Sequence, residues 1–122
     1  HVKPSDLTLP AAKEKSIDVA ARVGAARARQ RARYLDLGMP HVRSNAQADG
    51  EILERIARPD QSGLALLSEA ADAMNLSARG YHRVLRVART LADLEGREAV
   101  ARLDVAEALS YRQRLAAFEA AA

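Results

Sequence analysis

Four arginines recur along one stretch, Leu76 to Leu94, and their type and spacing make them the residues of this chain best suited to do chemistry. At about 100° per residue of helix, Arg79, Arg83 and Arg86 project within roughly 60° of one another, with Arg89 at the edge of the group. Val84, Val87, Ala88 and Leu91 occupy the opposite side. One face is therefore cationic and the other is core. With Ser77 as N-cap, Arg79 falls in the first turn, where free backbone N–H groups and the positive end of the helix dipole also favour an anion. A guanidinium there can hold phosphate oxygens through two parallel hydrogen bonds and stays charged at neutral pH. The competing reading is a solvated face whose arginines pair with nearby acids, Asp93 and Glu95 being candidate partners for Arg89. Periodicity alone does not separate the two.

Other chemistries find little support. The six glycines stand alone at 24, 38, 50, 63, 80 and 96 and none precedes a lysine, so there is no phosphate-cradling P-loop. Phosphoryl transfer needs phosphates, magnesium and water positioned together, so this chain is not expected to hydrolyse ATP by itself. His1, His41 and His82 have no second histidine or carboxylate at metal-binding spacing, and no metal site is expected. Ser16, Ser77 and Ser110 read as caps or surface groups rather than nucleophiles. With no cysteine, disulfides and thiolate metal sites are impossible, which is compatible with a reducing cytoplasm.

The elements that must position these arginines are helical. Ala, Leu, Arg and Glu outnumber the β-branched and aromatic residues, which points to an all-α small bundle of four to five helices. Residues 1–15, with Pro4 and Pro10, read as an extended lead-in. Residues 16–115 form the helical domain, and residues 116–122 a frayed tail. Ser16 is expected to cap a first helix over about 16–35, whose inward seam would be Ile17, Ala21, Gly24, Ala25, Ala28, Ala32 and Leu35. A loop follows Gly38-Met39-Pro40, then a short helix near 49–57 that stops before Pro59. Asp60 or Ser62 caps a third helix to about Met74. Ser77 opens the arginine-bearing helix over about 77–95, closed by Gly96, and Asp104-x-x-Glu107 reads as a capping box for a last helix through Leu115. The expected core is Leu64, Leu67, Met74, Val84, Leu85, Val87, Leu91, Val105 and Leu109. No apolar run approaches the roughly 18 residues of a membrane span. The net charge of +3 is uneven, with nine basic against four acidic side chains in residues 1–47 and ten against twelve thereafter.

The stretch from Leu76 to Leu94, followed by Glu95-Gly96 and by Val105-Ala106-Glu107-Ala108-Leu109-Ser110-Tyr111-Arg112, resembles the C-terminal segment of magnesium-chelatase-like AAA+ ATPases of the ComM/YifB type. Val23-x-x-Ala26-Arg27-x-Arg29-Gln30 and Asn45-Ala46 are similar to that family's first lid helix and the loop after it. Gln47-Ala48-Asp49-Gly50 departs from the family's usual wording. The resemblance implies an all-helical lid cut away from its ATPase core, with His1-Val2 as the end of the core's last strand. It implies that Arg79 is the sensor-2 arginine, reaching the γ-phosphate of ATP that the core binds with Mg²⁺, with Arg83 and Arg86 as supporting charges or inter-subunit contacts. It implies as partners the protein's own AAA+ core, neighbouring subunits of a ring that is commonly a hexamer, and DNA through the parent protein during recombination, all in the cytoplasm. Two other readings stand beside it: a stand-alone helical nucleic-acid-binding module using Arg22, Arg29 and Arg33, flanked by Arg27 and Arg31, and an interaction domain of a true magnesium chelatase complex.

Overall fold

The structure, a computed structural model, describes residues 16–121, with side chains through residue 117. The expected lead-in, His1-Val2 included, lies outside the described residues. Among the described residues five α-helices run in order: α1 (Ser16–Asp36), α2 (Gly50–Ile56), α3 (Gln61–Ala73), α4 (Ala78–Leu94) and α5 (Arg102–Ala121), with a 3-10 turn at Asn45–Gln47 between α1 and α2. An isolated parallel bridge joins Pro59 to Val100. Among the described residues no helix is long and apolar enough to cross a membrane.

The arginine-bearing helix α4 is the centre of the bundle. It packs on α5, α1, α2 and the 3-10 turn, while α3 leans on α5. Its buried stripe of Val84, Leu85, Ala88 and Ala92 meets Leu53 of α2, Leu67 of α3 and Val105, Ala108 and Leu109 of α5. Each aliphatic side chain of Leu or Val size taken fully out of water contributes about 1.5–3 kcal/mol before entropy is subtracted. Five of the nine expected core residues are buried. Met74, Val87 and Leu91 pack on the margin, and Leu64 is half-buried outside the cluster. Tyr34, Val42, Ala48, Ala57 and Val100 complete the core.

The helix ends follow local chemistry. Asp60 accepts a hydrogen bond from the Gly63 N–H at 2.8 Å and Ser77 one from the Gly80 N–H at 3.0 Å, each a side-chain N-cap. Gly96, at φ 73°, closes α4 in the left-handed conformation, and the Arg97 N–H donates back to the Ala92 carbonyl at 2.9 Å. The start of α5 corrects the expected capping box. Asp104 is not the cap: it lies in the first turn of α5, and its Oδ2 accepts from the Ala101 N–H at 2.8 Å. Its other oxygen pairs with Arg97. The tail expected to fray continues α5 as helix to Ala121.

The orientation of α1 is the main departure from expectation. The seam of small residues faces outward: Ile17 is 74% and Leu35 62% exposed, and nothing lies within 4 Å of where a Gly24 side chain would begin. The packed face carries Ala26, Gln30 and Tyr34 instead, with Arg33 beside them. An alanine and glycine stripe offers little apolar area to bury. The polar face finds charged and hydrogen-bonding partners on α4 and the 3-10 turn, and these decide which side turns inward.

Candidate functional site

The first turn of α4 opens onto a groove between α4 and α5 with a volume of about 250 Å³. Arg79 and Arg83 from α4 and Arg112 from α5 line it, over a floor that includes Val84, Val87, Ala108 and Leu115. Arg79 and Arg83 are exposed, and Arg112 is half-buried. The guanidinium of Arg112 reaches over the turn. Its Nη2 lies 3.5 Å from where a Cβ on Gly80 would stand, so the two helices bring their cations to one mouth. A second cavity of about 440 Å³ continues the groove past Val87 and Tyr111 towards Leu91, Glu107 and Arg114.

Ion pairing divides the arginines of α4. Arg22 pairs with Glu95, Arg33 and Arg89 with Asp93, Arg86 with Asp49 and Arg97 with Asp104. Arg79, Arg83 and Arg112 form no ion pair or hydrogen bond among the described residues. The Ser77 hydroxyl satisfies only one of the free N–H groups at the start of α4. Three guanidiniums without an ion pair beside open backbone donors could hold a multiply charged anion, and phosphate oxygens match such donors.

Arg86 does not belong to this group, which corrects the expected trio. It lies two turns further along α4, where its Nε donates to the Ala48 carbonyl at 3.0 Å and its Nη2 to Asp49 Oδ1 at 2.5 Å. The loop before α2 thus consumes its charge. The same contact explains why Asp49 stands at the N-cap of α2 without a side-chain cap bond.

The arginines proposed for nucleic acid are also committed. Arg22 meets Glu95 at 3.4 Å, Arg29 donates to the Asp93 carbonyl at 3.2 Å, and Arg33 forks onto both Asp93 oxygens at 2.5 and 3.0 Å. All three tie α1 to the C-terminal end of α4, so this face of α1 is a seam of the fold rather than an open phosphate surface. Arg27 and Arg31 remain exposed.

Around Asp93 lies a buried polar cluster that pattern reading missed. Asp93 is 0% exposed and Arg89 only 3%. Asp93 Oδ2 also accepts from Asn45 Nδ2 at 2.9 Å, while Tyr34 donates its phenol proton to Asn45 Oδ1 at 2.8 Å and Gln30 Oε1 accepts from the Asn45 N–H at 2.9 Å. Arg89 is further held by the carbonyls of Ile56, Arg97 and Glu98. Burial works against the charge of both arginines. For Arg33 the Asp93 carboxylate more than offsets it and the pKa rises; for the more deeply enclosed Arg89 burial wins and the pKa falls. The i,i+4 spacing of Arg89 and Asp93 identified the pair, but the burial came from α1 and the 3-10 turn, which no local pattern discloses. His82 is a partly exposed helix residue, its ring edge-on to Tyr81 at 6.2 Å.

Comparison with known proteins matches residues 13–112 to the family described as magnesium chelatase, subunit ChlI C-terminal. An uncharacterised protein of Mycobacterium tuberculosis is 42% identical over 101 residues, covering 82% of this chain and 19% of that protein. The competence protein ComM of Haemophilus influenzae is 38% identical over 68 residues, covering 56% of this chain and 13% of its own length. The uncharacterised protein YifB of Escherichia coli is 33% identical over 99 residues, covering 81% of this chain and 18% of that protein. The chain therefore spans less than a fifth of the length of these relatives. No solved structure matches it.

Proposed function

The chain belongs to the magnesium chelatase ChlI C-terminal family, in its ComM/YifB-type branch, and on that premise we propose that it is the helical lid of a AAA+ ATPase whose Arg79 contacts the γ-phosphate of ATP held by the core domain. The observation that carries this reading is the unpaired Arg79 in the first turn of α4, at the mouth of a groove that holds two further unpaired guanidiniums. Nucleotide phosphates fit that donor set by charge and by hydrogen-bond geometry. Mg²⁺ and the P-loop belong to the core, and this chain contributes positioning and charge.

In this reading Arg79 reaches across to the nucleotide when the lid closes and lets go after hydrolysis, so the angle between lid and core reports the nucleotide state to the next subunit of a ring. The likeness to a competence protein extends the proposal to remodelling of DNA by the full-length protein. The test is Arg79→Ala in that full-length protein. Removing one preorganised donor to a developing phosphate charge should lower ATP turnover by about 10²-fold while the circular dichroism spectrum stays unchanged. Turnover within a factor of about two of the parent would refute the assignment.

A further inference from the structure

We infer that Arg112 is a second phosphate-contacting residue, set across the groove from Arg79, so that both helices grip one polyphosphate; this rests on the reading of Arg79 above. Three observations converge on it. Arg112 is half-buried, which removes part of its hydration, and no carboxylate among the described residues replaces that water. Its Nη2 lies over the first turn of α4, 3.5 Å from the Cβ position of Gly80 and therefore beside the backbone that Arg79 extends. Its charged neighbours on α5 do not reach it. Arg114 donates to Ser110 Oγ at 3.0 Å, and Glu107 lines the adjoining cavity without bonding Arg112.

Elsewhere Arg22, Arg33 and Arg86 reach other elements and pair with acids there. A half-buried guanidinium beside two other unpaired cations is a costly arrangement in the empty groove, and an anion of several charges removes the cost. A lone carboxylate or a single phosphate leaves part of the repulsion in place, whereas the phosphate chain of a nucleoside triphosphate spans the groove mouth and offers oxygens to both walls. Arg83, one turn along from Arg79, adds to the field from the same side as Arg79.

The experiment uses the full-length protein with Mg²⁺ and a non-hydrolysable imido analogue of ATP, its affinity read by calorimetry for Arg79→Ala, Arg112→Ala and Arg112→Gln. Arg112→Gln keeps most of the side-chain stem and guards against loss of packing. Exposed Arg102, whose contacts are to Ser62 on α3, supplies the control substitution Arg102→Ala. Loss of one charge-assisted contact should weaken binding by about tenfold or more in both Arg112 variants, with Arg112→Lys recovering part of it and the melting temperature of the Gln variant unchanged. If Arg79→Ala weakens binding while Arg112→Gln binds as the parent does, the role of Arg112 is overturned and that of Arg79 stands. If neither substitution changes affinity, both are overturned.

Discussion

Replacing Asp93 by alanine should unfold this domain far more readily than any change at its surface. Asp93 is fully buried and its carboxylate receives Arg33, Arg89 and Asn45. Stripping one partner from a buried ion pair costs about 3–5 kcal/mol, because the remaining charge is left without compensation. Two features place this case at the lower end. Arg89 retains the carbonyls of Ile56, Arg97 and Glu98 as acceptors, and the Arg33 side chain, 19% exposed, can turn part of its guanidinium to water. The expected loss is therefore about 3 kcal/mol, a large share of the roughly 5–15 kcal/mol that holds a domain together. In urea, followed by helical circular dichroism, a slope of about 1–2 kcal/mol per molar converts that loss into a midpoint lowered by roughly 1.5–3 M. Glu95→Gln removes the charge of the exposed Arg22–Glu95 pair and should cost less than about 1 kcal/mol. Asp93→Asn, which keeps the shape and one acceptor oxygen, should fall between the two. A midpoint for Asp93→Ala within error of Glu95→Gln would refute the claim that this cluster carries the union of α1 with α4.

Two further outcomes are expected. Ser77→Ala removes the side-chain acceptor of the Gly80 N–H and should destabilise the domain by about 1 kcal/mol, read as a small fall in urea midpoint. Burial foremost pushes the Tyr34 phenol above its ordinary 10.0, so stability is complete below that pH, declines as the unfolded phenol ionises before the folded one, and levels off once both have ionised. Urea midpoints taken at about pH 9 and about pH 11 should therefore drop less in Tyr34→Phe than in the parent; an equal drop would show that Tyr34 is not the group responsible.

Much of the fold is legible from residues that act locally. Asp60, Ser77 and Gly96 mark helix ends through side-chain or backbone geometry within a few residues, and each lies where its chemistry places it. The amphipathic pattern of α4 likewise separates its buried face from its arginines, because one helix period encodes both. The packed side of α1 is different. Its small-residue stripe satisfies helical periodicity as well as its polar face does, and the choice is made by Asp93 and Asn45, some 60 and 12 positions away from Arg33. The candidate site divides in the same manner. Arg79 and Arg83 follow from one helix, whereas Arg112 enters only because α5 lies alongside α4, and Arg86 leaves because Asp49 approaches from a loop.

The buried cluster also ties the far end of α4 rigidly to α1 and the 3-10 turn. From Arg79 to Asp93 α4 is continuous helix, and the fourteen steps between them span about 21 Å at 1.5 Å each. A rotation of the whole bundle by only about 10° about the Asp93 end would displace the Arg79 end by about 4 Å, well beyond the span over which a hydrogen bond survives. Because α4 is packed along its length, its Arg79 end can travel only with the bundle, and under the proposed reading a slight turn of that one body would be enough to make or release a contact at its tip.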